Sequence, residues 1–178
     1  EILKEYRHDS CIASTRIGID ALARFDISAH PLPVQTTVYN PSFCKRVDAG
    51  HKPPETTEVL DQWYREDGSW NVGIGFGDGT DPLKWAGHLV IVHENLLIDL
   101  SADQASRPRH NIVLQPFVVE FGDDFLVGGR SILVRLNGCV VKIVANPDNT
   151  GYQLSPNWRH SNPRVVDNIV RGIKKAVR

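Results

Sequence analysis

The stretch "GHLVIVHENLLIDL", from Gly87 to Leu100, decides the fold class of this chain. Two continuous apolar runs flank the polar residues His93, Glu94 and Asn95. This pattern predicts two buried β-strands joined by a tight turn. Strands joined by so short a turn run antiparallel. The stretch therefore predicts the centre of an antiparallel sheet.

Helical and strand patterns continue on both sides of this hairpin. The apolar spacing predicts a helix over 10–25, and "SNPRVVDNIVRGIKKAVR" predicts a closing helix capped by Ser161 or Asn162. Asn137-Gly138 is the favoured pair for a type I′ turn and predicts a hairpin over 131–144. Further predictions are strands at 31–39 and 117–121, a short helix at 56–67, a surface loop at 40–57 and a glycine-rich loop at 71–82. One helix, then mostly antiparallel strands, then a closing helix give an α+β layout.

Composition is that of an ordinary globular chain. With 178 residues, 41% hydrophobic and 23% charged, the sequence suits one domain over 1–178. The net charge of −1 favours neither nucleic acid nor an anionic membrane as a partner. The basic side of the closing helix is interpreted as a solvated face. No apolar run reaches the roughly 18–20 residues that a bilayer span needs.

The number and spacing of the cysteines argue against a zinc site and against a disulfide framework. Cys11, Cys44 and Cys139 are odd in number and far apart, and no C-x-x-C occurs. Neither a zinc site nor a disulfide framework is indicated, so we expect no metal and no cofactor. A reducing cytoplasm fits this usage. Because the chain has no Met, a targeting segment removed from its N-terminus stays an open alternative.

Cys11 is the first candidate functional residue. Asp9 and Ser10 are both good N-cap residues, so the cysteine falls in the first turn of the predicted helix. The positive end of a helix dipole favours a thiolate. A cysteine nucleophile also needs a base and a group that orients the base. His88 and Asp99, in the central hairpin, are the candidates for these two roles.

Whether His88 and Asp99 meet depends on the turn between their strands. A His93-Glu94 turn pairs the two residues directly, on one face of the sheet. A Glu94-Asn95 turn pairs Asp99 with Val90 and makes it a diagonal neighbour of His88, still on one face. A three-residue turn would put the two side chains on opposite faces.

These features together resemble a known family. A cysteine that starts a helix, the exit "ALARFDISAHPL" into a strand, a glycine-histidine strand and an aspartate strand are similar to the transglutaminase-like branch of the papain-like cysteine protease superfamily. The resemblance covers about Tyr6 to Arg107. It implies a helix packed on an antiparallel sheet, with Cys11 as nucleophile, His88 as base and Asp99 as the residue that orients the base.

The resemblance extends to the residues after Asp99 but not to the oxyanion donors. "LIDLSADQAS" resembles a run found in some bacterial members, which implies that Gln104 is a neighbour of the site. The family has an aromatic residue soon after the histidine, where this chain has Leu89. Papain-like proteases carry a glutamine shortly before the cysteine, and none precedes Cys11 here. Tyr6 or Trp85 is the candidate donor, alongside the backbone N–H of Cys11.

The sequence thus predicts a cysteine-dependent acyl-transfer enzyme, an amide hydrolase or a transamidase. Its substrate would be a peptide, a protein or a small amide or acyl compound. An arylamine N-acetyltransferase-type acyltransferase uses the same Cys, His, Asp order, although 178 residues leave little room for that family's third domain. A non-catalytic binding module is the other alternative, with Cys11 a small buried helix residue and Asp99 a turn cap. Cys44 is expected to be incidental and Cys139 to lie in the core.

Overall fold

Seven strands form one sheet in the computed structural model, which describes residues 10–76, 85, 87–126 and 130–177. The strands are β1 (His30–Tyr39), β2 (Asn71–Ile74), β3 (His88–His93), β4 (Leu96–Asp99), β5 (Phe117–Glu120), β6 (Ser131–Leu136) and β7 (Cys139–Ala145). Their order is β5-β4-β3-β1-β7-β6, with β2 paired to β1 beside this path. Every pairing among these strands is antiparallel.

Five α-helices accompany the sheet in the described residues. They are α1 (Ser10–Ala23), α2 (Pro41–Asp48), α3 (Thr57–Asp67), α4 (Pro156–Arg159) and α5 (Pro163–Ala176). Short 3₁₀ helices cover Ala102–Ala105, Pro108–His110 and Thr150–Leu154. Helices and an antiparallel sheet together confirm the predicted α+β class. None of the described helices is both long and apolar enough to cross a bilayer.

The two faces of β3 bury against different partners. Val90 and Val92 belong to the main apolar core, together with Leu97 of β4. The opposite face carries Leu89 and Ile91 towards α1, where Thr15 Oγ1 donates a hydrogen bond of 2.9 Å to the Leu89 carbonyl. Because β3 is buried on both faces, its sequence is continuously apolar rather than alternating.

Helix α1 lies close to the sheet because Gly18 has no side chain. A Cβ atom at Gly18 would fall 2.5 Å from Ile91 Cδ1 and 2.7 Å from Leu100 Cδ1. Helix α5 packs on the outer side of α1, where Val166 joins Ile17 and Ala21 in a small apolar cluster. The closing helix is therefore held through α1.

Both predicted hairpins are present. Asn137 and Gly138 have φ values of 51° and 79°, as a type I′ turn requires. In the central hairpin His93 pairs with Leu96, so the turn is Glu94-Asn95. The second of the three registers considered above is confirmed, and Asp99 is a diagonal rather than a direct neighbour of His88.

The prediction of loops at 40–57 and 71–82 is wrong in part, because each segment contains a helix or a strand. Residues 40–57 contain α2, which begins after Asn40, whose side chain accepts a hydrogen bond from the Phe43 amide. Proline at the first helical position fits a helix start, because no intrahelical donor is lost there. Residues 71–74 of the predicted glycine-rich loop form β2, paired with β1. The rest of that loop, from residue 77 onward, lies outside the described residues.

Candidate active site

His88 and Asp99 form a buried pair at the ends of β3 and β4. Nε2 of His88 lies 2.8 Å from Oδ2 of Asp99, and each side chain is only 1% exposed. The diagonal register explains the contact, because it directs both side chains to one face of the sheet. A buried carboxylate without a partner would be costly, and the imidazole supplies that partner.

The second oxygen of Asp99 is fixed by the chain that follows it. Oδ1 accepts the backbone N–H of Ser101 at 2.9 Å and also lies 3.4 Å from the Ser101 hydroxyl. Asp99 therefore caps the turn after β4 and holds the imidazole at the same time. The capping role that the sequence offered as an alternative coexists with the histidine contact.

Cys11 approaches the same imidazole from the first turn of α1. Its thiol is close enough to the imidazole to be one of the two groups that raise the pKa of His88. Because Asp99 occupies Nε2, Nδ1 is the ring nitrogen that remains for the thiol. The backbone N–H groups of a first helical turn have no acceptor within the helix, so this end of α1 favours negative charge near the thiol. The three residues singled out from the sequence thus meet at one imidazole.

The imidazole is held as a cation. Burial by itself lowers the pKa of His88, but the charge and hydrogen bond of Asp99, and then those of Cys11, outweigh burial and raise this pKa to about 10. Near neutral pH the ring therefore carries a proton on each nitrogen. A cationic ring beside a cysteine is one of the surroundings in which catalytic cysteines occur.

Cys11 shares a buried cluster with aromatic side chains, two of them from the C-terminal part of the chain. The cysteine is 6% exposed and belongs to a cluster with Tyr152, against which Trp85 and Trp158 pack. The Tyr152 ring lies 5.6 Å from Trp85 and 4.8 Å from Trp158, between ring centroids. The guanidinium carbon of Arg16 lies 5.5 Å from the centroid of Trp158. The immediate surroundings of the thiol are thus aromatic.

Of the two side chains predicted as oxyanion donors, Trp85 is described by the structure and Tyr6 is not. The only N–H of the Trp85 side chain donates to Asn149 Oδ1 at 2.6 Å, so Trp85 is not arranged as an oxyanion donor and the sequence interpretation is corrected here. Tyr6 lies outside the described residues. The backbone N–H of Cys11, in the first turn of α1, stays available as a candidate.

Gln104 lies in the 3₁₀ helix Ala102–Ala105, five residues after Asp99, and is half-buried. Its backbone carbonyl accepts a hydrogen bond of 2.9 Å from Arg107 Nη1. A role for Gln104 beside the site stays a prediction.

The other two cysteines are away from these groups. Cys44 lies in α2, where its thiol donates to the Tyr39 carbonyl at 3.8 Å, and burial raises the pKa of this thiol. Cys139 is 1% exposed in the core, as predicted. No group of three or more metal-ligating side chains occurs within residues 10–76, 85, 87–126 and 130–177.

Sequence reasoning missed Asn149, Tyr152 and Trp158. They follow the last strand in a segment with no clear period, and tertiary packing brings them to the cluster that contains Cys11 or, for Asn149, to Trp85 beside it. The high aromatic content of 152–158 was the one available signal.

Comparisons with protein-family models, with curated proteins and with solved structures each gave no match to this chain.

Proposed function

We propose that this protein is a cysteine-dependent acyl-transfer enzyme, an amide hydrolase or a transamidase, with a transglutaminase-like, papain-like core. One observation carries the proposal: a buried His88–Asp99 pair at 2.8 Å, with the thiol of Cys11 at a helix start as the second group that raises the pKa of the imidazole. Nucleophile, base and orienting carboxylate are the three parts that thiol acyl transfer uses. In the sequence they follow one another in the Cys, His, Asp order of that family.

The proposed reaction has two steps. The Cys11 thiolate attacks an acyl carbon, and the carbon–nitrogen bond breaks as the His88 imidazolium gives its proton to the leaving amine. Water or a second amine then attacks the thioester, the carbon–sulfur bond breaks, and the proton released by the attacking group returns to the imidazole. Asp99 keeps the ring orientation fixed through both steps. The backbone N–H of Cys11 would stabilise the oxyanion in each tetrahedral intermediate.

A second function has an observation of its own. Cys11 is 6% exposed and belongs to a buried cluster with Tyr152, against which Trp158 packs. A thiol that stays covered would make the His88–Asp99 pair a structural element, and the protein would then be a binding module on the same fold. The two functions differ in whether a reagent can reach the thiol.

Thiol alkylation separates these functions. Iodoacetamide is added near neutral pH, and the modification of each cysteine is followed by peptide mass spectrometry. The enzyme proposal expects Cys11 to react far faster than a free thiol, and Asp99→Asn to slow it strongly. Cys44 is the internal control, because burial raises its thiol pKa. A Cys11 rate no faster than that of Cys44 would favour the binding module.

An acyl substrate tests the chemistry itself. An activated ester such as 4-nitrophenyl acetate should give a burst of 4-nitrophenol and a stable acyl adduct on Cys11. Cys11→Ser should abolish both signals, whereas the matched variant Cys44→Ser should leave them unchanged. Acylation spread equally over both cysteines would contradict a dedicated nucleophile.

A further inference from the structure

A second site lies away from Cys11, between α2 and the β6–β7 hairpin. A cavity of about 370 Å³ opens there. The residues that line it come from β1, α2, the segment after α2, β6 and β7, and none comes from α1, β3 or β4. Its size falls within the range of small-ligand pockets.

The walls of this cavity are mainly apolar. The rings of Tyr39 and Phe43 lie side by side, with centroids 4.7 Å apart and planes inclined by 35°. Val140 and Leu133 line the sheet side. Leu133 is 67% exposed, although it is a large apolar residue in the middle of a strand. An aromatic and aliphatic lining with an exposed leucine at its rim suits a ligand with a flat apolar body.

Positive charge predominates at the same cavity. Leu133 pairs with Lys142 and Arg135 pairs with Val140, so these four side chains share one face of the hairpin. Asp48 is the one acidic residue that lines the cavity. It lies 3.9 Å from Arg135, both side chains are exposed, and such a pair interacts weakly. Because that pairing is weak, Arg135 can receive an anionic group together with Lys142 on the same face.

Cys44 also lines the cavity and adds no negative charge. Burial raises the pKa of its thiol, and Sγ donates to the Tyr39 carbonyl at 3.8 Å. A neutral thiol fits an apolar wall. It also provides a chemical label, because a ligand in the cavity covers it.

We propose that this cavity binds a small aromatic carboxylate. The ring system would lie against Tyr39 and Phe43, and the carboxylate would face Arg135 and Lys142. This binding does not depend on the chemistry proposed at Cys11.

The probe for this site is 2-naphthoate, and its neutral analogue 2-naphthamide is the control. Titration calorimetry should show tighter binding of the carboxylate. Naphthoate should also protect Cys44 from iodoacetamide without changing the rate at Cys11. Arg135→Gln and Lys142→Gln should each weaken naphthoate binding about two- to fivefold, the range for one exposed charge interaction. Asp48→Asn should strengthen it by a similar factor.

Arg171→Gln in α5 is the matched control, since it removes the same charge from an exposed position outside the cavity. It should leave naphthoate affinity unchanged. Equal binding of acid and amide would overturn the recognition of an anion. Unprotected Cys44, or equal weakening by Arg171→Gln, would overturn the site. Leu133→Glu provides a second variant at an exposed position and should abolish naphthoate binding.

Discussion

Raising the pH from 6 to 10 should destabilise the protein through one residue, His88. An unfolded histidine has a pKa near 6.5, whereas Asp99 and Cys11 raise the pKa of folded His88 to about 10. Between these values folded His88 keeps a proton that the unfolded histidine has lost. The contribution of His88 to the free energy of unfolding therefore falls by about 1.4 kcal/mol per pH unit over that window.

The contribution is complete below pH 6.5 and is lost as the pH rises through about 10. It amounts to on the order of 5 kcal/mol, from the separation of the two pKa values. Because a typical domain has a stability of roughly 5–15 kcal/mol, this loss is a large share of the total. An exposed histidine would contribute almost nothing in the same range.

Urea denaturation followed by tryptophan fluorescence at pH 6 to 10 measures the effect. His88→Gln should be less stable at pH 6 and should lack the slope that distinguishes the wild type. His160→Gln, at an exposed position, is the matched control and should keep the wild-type slope. An NMR titration of the wild-type imidazole reads His88 alone and should have a midpoint near 10, also where His88→Gln fails to fold. A midpoint near 6.5 would refute the cationic imidazole.

Three further variants test the framework around the site. Asn40→Ala removes a fully buried side chain that makes four hydrogen bonds. It should lower the free energy of unfolding, measured in urea, by about 3 kcal/mol or more, because several buried groups lose their partners. A loss below about 1 kcal/mol would contradict those bonds. Gly18→Ala places a methyl group against Ile91 and Leu100 and should lower stability by about 1–3 kcal/mol through overpacking; unchanged stability would refute the close approach of α1. Gly172 in α5 has open space around it. Gly172→Ala should therefore raise the midpoint of thermal unfolding, since alanine is more favourable than glycine in a helix by about 1 kcal/mol. A lower midpoint would contradict an exposed helix there.

Sequence patterns correctly predicted the turns, caps and strands whose formation depends on residues close together in the chain. The Asn137-Gly138 turn, the Asn162 cap of α5 and the apolar runs of β3 and β4 all depend on neighbouring residues. The missed helix α2 also has a local signal, Asn40 followed by Pro41, but its polar composition favoured a loop. Strand β2 has no comparable signal, because its four residues are ordered by pairing with β1.

The contact between His88 and Asp99 could be predicted from the sequence as far as the pairing register of β3 and β4 could be predicted. Sequence placed His88 and Asp99 on one face under either two-residue turn, and only the pairing of His93 with Leu96 selects between the two. The cover over Cys11 was not predictable, because Tyr152 and Trp158 reach it through tertiary contacts. Trp85 was assigned a donor role from its position before His88, and its actual partner, Asn149, is distant in the sequence.

The cover over Cys11 has a consequence for biosynthesis. Tyr152 and Trp158 follow Cys11 and all seven strands in chain order, so they leave the ribosome after the cysteine and the sheet have been made. The buried surroundings of the thiol can therefore form only when synthesis has passed Trp158.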